Sequence, residues 1–237
     1  MRRALLIILN VSLAGCGGAP PRPVEATPVS VAPRPPVEEE RRDDEVQIQG
    51  ELGTLEQEQI DAGFRPELEA INACYHEAVA KLWYLSGALE LRVRVTRDGG
   101  VKEATTVRPL GSFAVEKCIL DRVRGLRFAH PKGNAEAEFN YTWNFRAKAA
   151  VKTWGNDDVG RAFDKHRAEI DACEKKGPVP PGLRVTFFVA PGGKVTSVGV
   201  GADGPLADDY ASCVIGRVQA WRFDDPLGKI ARATYQF

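Results

Sequence analysis

Apolar positions recur along this chain in two periods, and the switch from one period to the other marks out the elements. Ile60, Phe64, Leu68, Ile71, Tyr75, Ala78 and Leu82 lie three or four residues apart, one apolar stripe along a helix. Pro66 interrupts the stripe and predicts a kink or restart, because proline is tolerated in a first turn and not in a helix interior. After Ser86-Gly87 the period becomes two. Leu89, Leu91, Val93 and Val95 alternate with Glu90, Arg92 and Arg94, the pattern of a half-buried strand. Arg97-Asp98-Gly99-Gly100 predicts a hairpin turn, since Asp-Gly supplies the positive φ that tight turns need. Val101 to Val107 is the return strand. Phe113, Val115, Ile119, Val123 and Leu126 predict a second helix with Ser112 as its N-cap, and Phe139 to Phe145 an aromatic closing strand.

The same order then returns. Val159, Phe163, His166, Ile170 and Cys173 have helical spacing, with Asn156 or Asp157 to cap them. Leu183 to Val189 predicts a strand, Pro191-Gly192-Gly193 a turn and Val195 to Val200 its return. Leu206 to Val218 predicts a helix and Ala231 to Phe237 the last strand. The landmarks coincide as well. Ile71-Asn72-Ala73-Cys74 recurs as Ile170-Asp171-Ala172-Cys173. Cys118-Ile119-Leu120-Asp121-Arg122-Val123 recurs as Cys213-Val214-Ile215-Gly216-Arg217-Val218. Arg127-Phe128 recurs as Arg222-Phe223, each phenylalanine 10 residues after its cysteine. The expected fold class is α+β: two tandem α-β-β-α-β units, residues 51–147 and 153–237, each a small antiparallel sheet packed on helices. Units of this size are small for a self-sufficient core.

The first residues bear on the compartment. Met1-Arg2-Arg3 is a basic start, and Ala4 to Leu13 is an apolar run too short to span a bilayer, which takes roughly 20 residues. It ends in Leu13-Ala14-Gly15-Cys16, which resembles the bacterial lipobox. Residues 1–15 then form a lipoprotein signal peptide, and Cys16 is the lipidated residue. The alternative is an ordinary secretory signal with Cys16 incidental. Gly17, not Asp, follows the cysteine, which favours sorting to the outer membrane, facing the periplasm. Residues 16–50 continue as a tether: Pro-rich to Pro36, then the charge run Glu38 to Glu45. Neither part can bury a core, so a solvated spacer is preferred over a binding role for the Pro-rich stretch.

Of the 5 cysteines, Cys16 is one, and the rest fall two to each repeat. In an exported chain an even remainder implies disulfides. The repeat selects Cys74 with Cys118 and Cys173 with Cys213 among the three connectivities. A metal or redox role fits less well: there is no CxxC, and His76, His130 and His166 do not recur at matched positions. A balance of 32 Lys and Arg against 32 Asp and Glu gives no hint of nucleic acid.

Gly53 to Ile60, Ile71 to Tyr75, Asp98 to Val101, Cys118-Ile119 and Arg127-Phe128 together resemble the AgmX/PglI C-terminal domain. That domain occurs in myxobacterial envelope proteins and is similar to the C-terminal domain of the energy transducer TonB. The second half carries the landmarks at Ile170, Cys173, Gly192-Gly193, Val195, Cys213, Trp221 and Phe223. The resemblance implies two TonB-C-like units and a protein-binding role. It departs from the family at Pro131 and Pro226, which come late, and at Glu174, where a tyrosine is expected. A TonB-type transducer also needs a transmembrane helix, so energy transduction is not carried over.

No nucleophile elbow, Walker A loop, HExxH or paired metal-ligand spacing is present. Gly99-Gly100 and Gly192-Gly193 sit between strands and read as hairpin turns, not phosphate loops. Asp208-Asp209 and Asp224-Asp225 read as solvated charges. No enzyme activity, cofactor, metal or small-molecule substrate is expected. The expected function is a non-catalytic envelope component that binds a periplasmic or envelope protein. The aromatic strands, with Tyr141, Trp143, Phe145, Tyr235 and Phe237, are candidates for strand addition, against core packing as their simpler role. The alternative is a structural subunit of a motility, secretion or export machine.

Overall fold

The structure is a computed structural model that describes residues 52–237; the leader, Cys16 and the tether lie outside the described residues. The described residues fall in one compact unit of antiparallel sheets packed against helices. In the first half, α1 (Gln57–Phe64) and α2 (Leu68–Val79) are separated by a single 3-10 turn, Arg65–Glu67, with Pro66 in its first turn. The stripe read from the sequence therefore survives as one buried face carried by two helices: Ile60, Phe64, Ile71 and Tyr75 are buried. β1 (Gly87–Val95) and β2 (Val101–Arg108) form the hairpin, α3 (Phe113–Arg124) follows, and β3 (Ala137–Phe145) returns beside β1. The sheet order is β2-β1-β3, all antiparallel.

The second half opens on β4 (Val151–Trp154), a strand that periodicity does not signal because it is only 4 residues long. It runs parallel to the last strand, pairing Val151 with Ile230 and Trp154 with Ala233. α4 (Asn156–Asp171), β5 (Arg184–Ala190), β6 (Lys194–Gly201), α5 (Asp208–Ala220) and β7 (Ile230–Gln236) follow. The order β4-β7-β5-β6 puts β7 inside the sheet, whereas its counterpart β3 lies at an edge. The first half has only a remnant of β4: Gly53 makes one parallel bridge to Ala137, after which Thr54 turns away to Lys132.

Two caps differ from the sequence expectation. Ser112 sits at the N-cap of α3 but its hydroxyl makes no capping bond. The Glu116 carboxylate instead accepts the backbone N–H groups of Gly111 and Ser112. The N-cap of α4 is Gly155, not Asn156 or Asp157, and its N–H donates to Asp158. In both cases a carboxylate one turn inside the helix serves the orphan donors, an arrangement the N-terminal dipole also favours.

Each sheet has one face on its own helices. The second sheet is buried on both. Val185, Phe187 and Val189 of β5 face α4 and α5 in the second core. The alternate residue Phe188 belongs to the first core, its ring 5.1 Å from that of Tyr84. The halves are thus joined through side chains of the second sheet.

Candidate functional site

The closing strands differ in exposure although their sequences correspond. In β3, Phe139, Tyr141, Trp143 and Phe145 alternate with Glu138, Asn140, Thr142 and Asn144; the aromatics are half-buried and the polar residues exposed. Phe64 of α1 packs 4.2 Å from Tyr141 and 5.1 Å from Trp143, centroid to centroid, and Tyr75 of α2 stacks on Phe145 at 4.4 Å. The indole N–H of Trp143 is buried without an acceptor. The aromatic side chains therefore lie under the helices, and what β3 offers outward is its backbone. Gly53 donates to the Glu136 carbonyl on that outer side at 2.8 Å. Backbone groups alternate sides along an antiparallel strand, so those of Asn140, Thr142 and Asn144 also point outward. Among the described residues no strand pairs with them. This edge carries one charged residue beyond Ala137, Glu138, and an uncharged open edge is a template for another strand.

In β7, Tyr235 stacks on Phe163 of α4 at 4.0 Å, and Phe237 meets the same ring edge-on at 5.5 Å with the Arg167 guanidinium 6.0 Å above it. β4 occupies the outer side of β7 from Ile230 to Ala233. The two candidate strands are therefore not equivalent: β3 has an open edge, and β7 is covered over its first half.

The seam between the halves holds the one charged side chain that is fully buried among the described residues, Glu116. Its Oε1 accepts from Gly111 at 2.8 Å and Ser112 at 3.1 Å, and its Oε2 accepts from Val200 of β6 at 3.2 Å. Burial pushes this carboxyl up to about 7, against the lowering pull of those N–H groups. Arg232 of β7 is half-buried; desolvation lowers its pKa, Glu116 raises it, and its buried Nε has no partner. Around this pair Ser197 donates to the Gly111 carbonyl, Ala202 donates to the Thr106 carbonyl at 2.8 Å, and Arg184 pairs with Asp203 at 2.8 Å. Sequence reasoning missed the seam. Two signals pointed to it: Gly199 and Gly201 inside a strand, which mark close backbone approach, and a glutamate on the apolar side of α3.

Cys74 Sγ lies 2.02 Å from Cys118 Sγ, and Cys173 Sγ lies 2.03 Å from Cys213 Sγ, the pairs that occupy matched positions in the repeat. Both bonds tie the helix before the hairpin to the helix after it. His166 stacks on Trp221 at 4.8 Å and contacts Glu169 at 2.7 Å, while His76 and His130 are exposed. Among the described residues no group of three or more His, Cys, Asp and Glu is placed to hold a metal, and no helix is long and apolar enough to cross a membrane. Compared with known proteins, the chain matches no family model, no curated protein and no solved structure.

Proposed function

We propose that this chain is a non-catalytic, lipid-anchored component of a bacterial envelope, built from two TonB-C-like units and tethered through Cys16 on the periplasmic side of the outer membrane. It binds an envelope or periplasmic protein by adding an extended segment of that protein to β3. The observation that carries the reading is the open outer edge of β3, with unpaired backbone groups at Asn140, Thr142 and Asn144 and little charge to repel a strand. Strand addition draws on main-chain hydrogen bonds and asks little of side chains, which agrees with a sequence that lacks any catalytic constellation. An assembly role with permanent interfaces would call for a large exposed apolar face. Among the described residues the exposed large apolar ones, Leu52, Trp83, Val179 and Leu227, come instead from four separate segments.

The test places a photo-crosslinking residue at Asn144 in the full chain in cells and adds Thr142→Pro. The Thr142 N–H points outward, so proline leaves the β1–β3 ladder intact and blocks an incoming strand. A discrete crosslinked partner, lost in Thr142→Pro while circular dichroism is unchanged, supports strand addition. Crosslinks that survive the proline contradict it.

A further inference from the structure

The first sheet has a second outer edge, β2, and it borders a groove of 390 Å³. That volume lies in the range of ligand sites, roughly 300–1,000 Å³. One wall is β2 itself from Val101 to Thr106; the facing wall is α3, through Phe113, Leu120 and Arg124; Pro205 and Leu206 close one end. The walls match in length: about 13 Å for Lys102 to Thr106 at strand rise and about 16 Å for Phe113 to Arg124 at helix rise.

The backbone along this wall is available. Ala202 donates to the Thr106 carbonyl, so Thr106 faces away from β1, and by alternation Ala104 does too. The Thr106 N–H and both Ala104 groups have no strand partner among the described residues. Thr106 itself lines the groove, while its hydroxyl is buried away from it without a hydrogen-bond partner.

The ends of the groove differ in charge. Arg127 bridges Gly100, so the C-terminal end of α3 lies by the start of β2, and Lys102 and Arg124, from those two segments, line the groove there. Asp208, in an exposed ion pair with Lys117, lines the other end, where Glu116 is already taken up by backbone N–H groups. The ion pairs already made by the two cations, Lys102 with Glu136 and Arg124 with Asp121, are exposed and readily exchanged. The closed end also limits the occupant. Ala202 stops pairing at Thr106, so only a slim extended chain fits; the β2 of a second copy would bring its own α3 and β6 with it.

We propose that this groove binds an extended peptide running antiparallel to β2, with its amino end toward Asp208, apolar side chains at alternate positions against Phe113, Leu120 and Leu206, and acidic residues at the carboxyl end against Lys102 and Arg124. The proposal rests on the reading of this chain as a protein-binding component but uses a different edge from β3.

The test titrates the isotope-labelled full chain in detergent with the peptide Val-Thr-Val-Thr-Asp-Glu and, separately, Val-Thr-Val-Thr-Lys-Lys, followed by amide NMR shifts. The expected result is shifts at Ala104, Thr106, Phe113, Leu120 and Leu206, with at least tenfold weaker binding of the lysine peptide. Lys102→Glu with Arg124→Glu should reverse that preference, and Ala104→Pro should abolish the β2 shifts. No β2 shift at millimolar peptide, or equal binding of both peptides before and after charge reversal, overturns the proposal. Shifts confined to Asn140, Thr142 and Asn144 overturn it too while leaving the β3 reading standing, and the crosslinking of Thr142→Pro is scored independently of either.

Discussion

Glu116 shows how one residue can hold a seam and strain it. Its carboxylate fits where Gly199 has no side chain, and a Cβ on Gly199 would collide with that carboxylate. Neither group has room to shift, because β6 is backed by the second core and α3 by the first. Gly199→Ala should therefore cost about 2 kcal/mol in chemical denaturation. Glu116→Gln should cost a similar amount, about 2 kcal/mol, since its amide turns a donor toward backbone N–H groups that now meet an acceptor. The pH dependence follows from the same burial. The Glu116 carboxyl titrates at about 7 when folded, against an ordinary value of 4.5. Below 4.5 both folded and unfolded chains are protonated there. Between 4.5 and 7 the unfolded chain loses the proton first, so the folded state loses stability, by about 3 kcal/mol once the pH passes 7. Asp203, held low by Arg184, and Asp225, held low by the Gly192 N–H, act in the opposite sense and at lower pH. The stability difference between wild type and Glu116→Gln isolates the effect: about 2 kcal/mol in favour of wild type at pH 4.5, it should fall by about 3 kcal/mol as the pH rises through 7, leaving the variant the more stable. A difference that is flat across that window would mean the carboxyl is not perturbed.

At the scale of the element, matched positions produce unequal strands. β3 and β7 share an aromatic alternation, and the sequence placed both. Whether each has an open edge depends on what precedes the following or leading helix: four residues of β4 in one half, a single bridge from Gly53 in the other. A strand that short carries no period, so the edge proposed for binding was not legible, while the long elements with sustained periodicity were. Glu116 illustrates the same limit, because helical periodicity marks it as lying near the apolar face but cannot say which partner arrives from 84 residues away. The disulfides work at this scale as well. Each closes a loop, with 44 and 40 residues of separation, and pins two helices on the sheet's covered side. In the chain-entropy description each contributes about 4 kcal/mol. Cys74→Ser and Cys118→Ser should each lower the melting temperature, and the double variant should lose little more than either single one. Additive losses would show that the two sulfurs do not share one bond in solution.

For the whole molecule, the repeat suggests two beads and the packing argues for one body. Phe188 from the second sheet is buried in the first core. Gly111 leaves room for it: a Cβ there would stand 2.7 Å from the Phe188 ring. Gly201 lets β6 approach β2, since its Cβ would lie 2.8 Å from the Thr106 and Val107 carbonyls. Contacts of this kind are those of a core, not of two domains that touch and part, so unfolding either half removes buried surface and buried hydrogen bonds from the other. The tryptophans report on each half separately: Trp83 and Trp143 lie in the first, Trp154 and Trp221 in the second. A variant with Trp83→Phe and Trp143→Phe should show the same urea midpoint by fluorescence as by far-ultraviolet circular dichroism, and so should the converse variant with Trp154→Phe and Trp221→Phe. Each comparison is made within one protein, so a loss of stability from the substitutions themselves does not affect it. Coincident midpoints mean that the seam couples the halves into a single folding unit, and that a strand bound at β2 or β3 stabilises the entire body. A fluorescence transition that leads or lags the circular dichroism in one variant would mean the halves unfold in turn, leaving the seam a contact between independently stable units.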